Sequence, residues 1–253
     1  MNLKGTRTIT HGHLTWIDVF DPSIETLTEL KEKFKFHELD VEDCISDNQR
    51  SKIDEYSKYL FMILHFPYYD KKSQKVAFDE VDFFLANDLL IAVHTNGLKN
   101  FVGFLEKTMD SELQRESIMS KGSGFLLYEV IDFMFSTAFP ILDSFETSIA
   151  VLEKDVFSLG EQRDMLKDIL RTKKNIITFR RVIGPERTVV AQLEHKHKKF
   201  LAENLDIYFD DLVDKIEKIW NTLENLKELV ESLQDTNESI ISHTTNNVIR
   251  ILT

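Results

Sequence analysis

The strongest constraint on this chain is its last fifty residues. Apolar side chains recur there at alternating steps of four and three: Leu205, Phe209, Leu212, Ile216, Ile219, Leu223, Leu226, Val230 and Leu233. The series continues through Asn237, Ile240, Thr244, Asn247 and Ile251. A repeat of this period sustained over several heptads specifies a long helix with one apolar edge. A helix over residues 204–253 is roughly 75 Å long at 1.5 Å per residue. A compact body built from the remainder has a radius of gyration of about 16 Å. The helix is therefore expected to project as a stalk. Its own domain is expected to cover the stripe to about Leu226, and another copy or another protein to cover it beyond. The stalk's end has a different character. Negative charge ceases after Glu238, small polar residues occupy seam positions, and the pattern runs to Ile251-Leu252-Thr253 without a helix stop. Small polar seam residues suit a helix lining a hydrated axis, and the ending reads as a truncation just before a membrane segment.

The chain changes character near Gly122. Before it, short apolar runs alternate with turn residues. Residues 13–20, 59–69, 76–86 and 89–95 read as strands, with Asn87-Asp88 as a tight hairpin turn. Asp21-Pro22 reads as the start of a helix carrying Ile24, Leu27, Leu30 and Phe34, and residues 37–45 and 101–109 as further helices. After Gly122 three helices are expected, over about 124–159, 163–200 and 204–253, with breaks at Gly160 and near Asn204. Gly184-Pro185 is expected to kink the second. That second helix is basic and its neighbours acidic, so the three are expected to pack side by side. Acidic faces suit either solvation or divalent cations. The fold class is α+β: an N-terminal mixed α/β domain over 1–121 with a helix-flanked sheet, a long helical pair over 122–203, and the stalk.

Composition closes off several functions. The chain has 253 residues and a formal net charge of −12, which opposes wrapping nucleic acid. Its single cysteine, Cys44, excludes a disulfide framework or a cysteine-built zinc cluster. Neither a secretory signal nor an uninterrupted apolar run of about 18 residues is present. His11 and His13 are two apart and read as sharing a strand face near the N-terminus, while His195 and His197 diverge on a helix. Residues 120–125 (SKGSGF) read as a linker rather than a phosphate-binding loop. No nucleophile–base–acid set is visible, so no enzymatic activity is expected.

Six segments carry a family resemblance: LDVEDCISDNQRSKIDEYSKYLFMILHFP (39–67), VDFFLANDLLIAVHTN (81–96), LLYEVIDFMFSTAFPILDSFETSIAVLEKDVF (126–157), LKDILRTKKNIITFRRVIGPERTVVAQL (166–193), YFDDLVDKI (208–216) and SHTTNNVIRILT (242–253). In this order they resemble the cytoplasmic part of CorA-type divalent metal ion transporters, a family that includes ZntB-like zinc transporters. Two transmembrane helices and a Gly-Met-Asn motif that mark the family are absent, so the chain reads as a soluble domain on the cytoplasmic face of the cell membrane, with the pore missing. The resemblance implies a homopentamer in the full-length protein, attached to the membrane through those helices, with regulatory cations held between subunits. The matching positions are Asp43 with Glu42 beside it, Asp132, and Asp211. Hard divalent cations take carboxylate oxygens and keep several waters, so one or two carboxylates per subunit suffice. Each residue also has a plainer reading: Asp43 solvating a short helix, Asp132 in a core hydrogen bond or ion pair, Asp211 on an exposed acidic face. Lys215 stands where some relatives carry His. Asn246, Ile249 and Leu252 match the start of the family's pore. Mg2+ is the expected ion, with Zn2+, Co2+ or Ni2+ as alternatives. A ZntB-like zinc transporter domain and a soluble coiled-coil scaffolding protein are the competing functions.

Overall fold

The computed structural model describes residues 5–46, 49–95, 98–156, 162–195, 200 and 205–252. Its elements run β1 (Thr6–His11), β2 (Leu14–Phe20), α1 (Ile24–Phe34), α2 (Glu38–Asp43), β3 (Lys52–Glu55), β4 (Leu60–Asp70), β5 (Lys75–Ala86), β6 (Leu89–His94), α3 (Lys99–Asp110), α4 (Glu112–Met119), α5 (Ser123–Ser136), α6 (Phe139–Val156), α7 (Gln162–His195) and α8 (Asp206–Leu252). The α+β class is as expected.

The strands form one sheet in the order β1-β2-β6-β5-β4-β3. Only β2 and β6 pair in parallel; the remaining neighbours are antiparallel. Ala86 faces Leu89 across the two-residue turn at Asn87-Asp88, so the hairpin lies where its turn residues placed it. Alternation along the strands divides the sheet between two cores. Ile17, Val19, Phe61, Ile63, Phe84 and Ile91 face α1 and α2 with Leu27, Leu30, Phe36 and Val41. Trp16, Met62, Leu64, Phe83 and Leu90 face the other way, into the core shared with α3–α8.

Several local expectations are corrected. Helix α1 is capped by Ser23, whose Oγ accepts from the Thr26 amide at 3.2 Å, and not by Asp21, which has a left-handed φ of 48°. The side-chain oxygen one residue beyond Pro22 reaches the free amide, so the helix starts later. His11 ends β1 and His13 sits in the turn before β2, so they do not share a strand face. Strands β1 and β3 and helix α4 are further elements in stretches to which the sequence reading assigned none. The supposed linker at 120–125 starts α5: Gly122 adopts a φ of 94°, and Ser123 Oγ donates to the carbonyls of Ala86 (2.6 Å) and Asn87 (2.9 Å). The first long helix is divided into α5 and α6 at Thr137-Ala138, where amides bond three residues back, Ala138 to Phe135 O at 3.0 Å. Pro140, with no amide of its own and a ring that crowds the turn before it, accounts for the division. Together α5 and α6 are long and apolar enough to cross a membrane by length and composition, but 56% of their most apolar stretch is buried in the fold. Pro185 lies inside α7, which is helical on both sides of it. The expected breaks at Gly160 and near Asn204, and residues 196–199 of the basic helix, lie outside the described residues.

Helices α7 and α8 pack antiparallel in a constant register. Lys173 meets Glu231 (3.6 Å), Arg180 meets Glu224, and Arg187 meets Glu217 (2.7 Å). Each step adds seven on α7 (173, 180, 187) and subtracts seven on α8 (231, 224, 217), as a heptad interface requires. Trp220 lies between two of these rungs, 5.1 Å from Arg180 and 4.7 Å from Arg187, with Gly184 against its ring. The basic and acidic helices thus pack together as their charges implied. The same pairing corrects the expectation for the stripe. Val230, Leu233 and Asn237 are all buried within this one chain, so cover from within extends well past Leu226. The reason is that α7 is itself long, and by this register its first residue, Gln162, lies level with about Ser242.

Leu223 is fully buried in this seam. Leu223→Ala is expected to cost about 3 kcal/mol in urea unfolding, within the range for truncating a buried leucine; an effect under about 1 kcal/mol would show that the seam does not carry the helical pair.

Candidate metal-binding carboxylates

Two of the four expected ligands meet on the face that α5 presents to α8. Lys215 Nζ forms an ion pair with Asp132 and donates to Ser136 Oγ at 3.0 Å. One turn away on each helix, Tyr128 OH donates to Asp211 Oδ2 at 3.4 Å. Burial pushes the Tyr128 phenol well above its usual value, and the carboxylates of Asp132 and Asp211 push it further. Burial, then the nearby Asp132, also raises the Glu129 carboxyl. The aromatic cluster of Phe125, Tyr128 and Tyr208 seats this part of the stalk, with Lys121 4.1 Å over the Phe125 ring.

The other two sit at the end of α2. That helix is held down by Asp40, buried beneath it, which accepts from Tyr59 OH (2.6 Å) and Tyr56 OH (2.8 Å). Burial raises the Asp40 carboxyl, and both tyrosine hydrogen bonds oppose the rise. Asp43 meets Lys52 Nζ at 2.6 Å, and Lys52 also reaches Asp54 at 2.9 Å. Partial burial disfavours the charge on Lys52, but the hydrogen bonds to Asp43 and Asp54 outweigh it and hold its pKa above the usual lysine range. Glu42 is exposed.

Helix α2 lies on one face of the sheet and α5 with α8 on the other. The structure therefore brings Asp132 and Asp211 to one face, and keeps Asp43 and Glu42 apart from them within a chain. Among the described residues, no three His, Cys, Asp or Glu side chains converge as a group that could hold a metal. The plainer reading of Asp132, an ion pair, is present, and so is a lysine partner for Asp43. Of the pore candidates, Asn246 is exposed on α8; Ile249 and Leu252 are in the helix, and their side chains lie outside the described ones.

Sequence reading missed a buried polar cluster joining the sheet to α7. Glu186, fully buried, accepts from the His65 amide (2.8 Å) and from Ser51 Oγ (2.5 Å), and its Oε1 is 3.2 Å from His65 Nδ1. On the other side His65 Nε2 is 3.2 Å from Glu80 Oε2. Burial lowers the His65 pKa, but the hydrogen bonds to Glu186 and Glu80 outweigh it and lift it to about 9. Burial raises the Glu186 carboxyl, against His65 and Ser51. A second pair, His94 Nε2 to Asp18 Oδ1 at 2.8 Å, is buried in the sheet, and Arg7 reaches the other Asp18 oxygen at 2.9 Å. The available signal was a charge inside an otherwise apolar run: Asp18 in WIDVF, Asp82 in VDFFLA, Glu186 directly after Pro185.

The soluble domain of CorA from Methanocaldococcus jannaschii superposes with a TM-score of 0.78 at 22% identity, covering 90% of this chain and 88% of that one. The cytoplasmic domain of ZntB from Vibrio parahaemolyticus gives 0.73 at 13% identity, covering 91% and 88%. At these identities the likeness is one of fold. The sequence goes further: the family described as CorA-like Mg2+ transporter protein matches residues 11–253, and the chain belongs to that family of divalent-cation membrane transporters. The cobalt/magnesium transport protein CorA of Thermotoga maritima is 26% identical over 240 residues, 94% of this chain and 67% of that protein.

Protonated His65 is favoured in the folded state, so its contribution is complete below its ordinary 6.5 and is lost as pH rises through about 9. Between pH 7 and 10 wild type is expected to lose more stability than His65→Gln, by at most about 3 kcal/mol. Parallel chemical-denaturation curves for the two proteins would disprove the assignment.

Proposed function

We propose that this chain is the metal-sensing and gating part of a CorA-type magnesium transporter. The full-length protein is a homopentamer on the cytoplasmic face of the cell membrane, and regulatory Mg2+ sits between subunits, near Asp43 and Glu42 of one copy and Asp132 and Asp211 of the next. The carrying observation is that α2 and the α5–α8 face lie on opposite sides of the sheet. No single chain joins these carboxylates, whereas a ring of copies can. A site shared across an interface binds only one quaternary arrangement, so its occupancy biases the assembly toward that state.

The donors at these positions are carboxylate oxygens, which suit Mg2+ better than Zn2+, since zinc favours nitrogen and sulfur ligands in tetrahedral sites. Co2+ and Ni2+ fall between. Three of the four carboxylates also have a partner in this chain: Lys52 for Asp43, Lys215 for Asp132, Tyr128 for Asp211. A bound ion competes with the two lysines, so affinity is tuned by the strength of these internal pairs. Asn246, Ile249 and Leu252 would line the approach to the pore, where apolar rings gate by dewetting. A ZntB-like zinc domain is the second reading, favoured by the ZntB fold likeness. Comparative calorimetry with Mg2+ and Zn2+ separates the two.

Mg2+ is expected to raise thermal stability and oligomer size in wild type and to do neither in the Asp43→Ala, Asp211→Ala double variant. Equal responses in both proteins remove the sensor assignment. Lys215→Ala, which releases Asp132, is expected to tighten Mg2+ binding by about fivefold, the equivalent of roughly 1 kcal/mol for a partly exposed ion pair. Weaker binding in calorimetry would show that Lys215 supports the site rather than competing for it.

A further inference from the structure

Strand β6 ends at His94, opposite Val81, while β5 continues without it from Glu80 back to Lys75. On the helical face of the sheet this step leaves a cavity of about 510 Å3, bounded by the start of α3 at Lys99 and the end of α5 at Met134. The strand register sets its floor. Asp79 lies directly opposite Phe66, and Tyr68 follows Phe66 by two residues, so all three side chains leave the same face. Phe66 packs on Phe135 of α5, which fixes that face as the one turned toward the helices.

Charge is divided within this cavity. Asp79 has no hydrogen-bond or ion-pair partner among the described residues. Burial raises its carboxyl, and His94 opposes the rise by charge. Both ring nitrogens of His94 are engaged elsewhere, by Asp18 and the Thr95 carbonyl. No lysine acts on Asp79. Lys71, Lys72 and Lys99 nevertheless line the same cavity; they are exposed, and none forms an ion pair with a described residue. Asp70, the other carboxylate in the lining, accepts from the amides of Lys72 (2.9 Å) and Ser73 (3.3 Å). The carboxylate end and the lysine end are therefore separate, and in a chain of net charge −12 the lysine end is a local attractor for anions.

A ligand that answers both ends carries hydrogen-bond donors at one end and negative charge at the other. Between them it needs a flat body to lie along Phe66, Tyr68 and Met134, and Tyr68, 40% exposed, offers its ring for stacking. A nucleotide has this layout, and the cavity is of the size that holds small molecules. The base follows from Asp79. An ionised carboxylate accepts from two neighbouring donors. Guanine presents two on its pairing edge, the ring N–H and the 2-amino group, whereas adenine presents one beside an acceptor.

We propose that this cavity binds a guanine nucleotide: Asp79 accepts from the base, Tyr68 stacks on it, and Lys71, Lys72 and Lys99 meet the phosphates. The site lies within one chain and is independent of the inter-subunit carboxylates. The whole chain would be titrated calorimetrically, without added metal, with GDP, ADP and inorganic pyrophosphate. GDP is expected to bind at least about tenfold more tightly than either. The Lys71→Ala, Lys99→Ala variant is expected to weaken GDP by about tenfold through lost phosphate contacts. Asp79→Asn is expected to weaken GDP by at least about tenfold and to gain xanthosine diphosphate, whose 2-oxo group accepts from the new amide. A merely structural role for Asp79 would not produce that exchange. No saturable GDP binding up to about 1 mM overturns the site. Equal affinity for GDP and ADP, pyrophosphate binding as tight as GDP, or unchanged GDP binding in Asp79→Asn overturns it as well. Should Asp79→Asn fail to fold, amide shifts induced by GDP in the wild-type chain decide: shifts at Phe66, Tyr68, Asp79 and Lys99 support the site, and shifts confined to other residues overturn it.

Discussion

The antiparallel seam between α7 and α8 is what the rest of the molecule is built on. Its apolar positions are almost fully removed from water, and its charged rungs recur at seven-residue steps on both helices. Burial supplies the stabilisation and the rungs fix the register, since sliding by one turn would set lysines and arginines away from their glutamates. Neither helix has this support alone. A long isolated helix whose apolar edge met water would be marginal, and packing is what makes its length usable.

Helix α8 also gives two of the carboxylates their setting, through its contact with α5. Asp132 and Asp211 sit on helices that meet near the base of the rod, and their lysine and tyrosine partners come from the facing helix. Asp43 is placed by a different device, a short helix tied to two tyrosines through Asp40. Both arrangements leave acidic groups partly compensated within the chain and close to the surface. That state is suited to the exchange proposed above, of an internal partner for a metal ion. It contrasts with Glu186, which is wholly inside and joins α7 to the sheet.

Much of this was legible from residues alone, and the exceptions have physical causes. The rod was readable because one apolar position in every three or four leaves few alternatives over so many turns. The β5–β6 hairpin was readable from Asn87-Asp88 between apolar runs. Strands β1 and β3 were not, since an edge strand such as KIDE carries polar residues and takes its identity from its neighbour. The cover of Val230 and Leu233 was misjudged because the stalk was compared with a sphere rather than with α7, which runs beside it. The contacts of Glu186 with Ser51 and His65 span 135 and 121 residues, and no local pattern announces a pairing of that separation. Asp132 and Asp211 were singled out through family likeness; their internal partners lie 83 residues away in sequence, too far for any local pattern to pair them.

Glu186 fastens α7 to the sheet near one end of the seam, level with about Lys218 on α8, while the rod continues to Leu252. The remaining stretch is about 50 Å at 1.5 Å per residue. The anchored end therefore acts as a fulcrum and the rod as a lever arm. A rotation of about 5° at the sheet sweeps the far tip through about 4 Å, more than the diameter of a water molecule. Small adjustments among buried carboxylates at one end can in this way translate into a much larger displacement at the other.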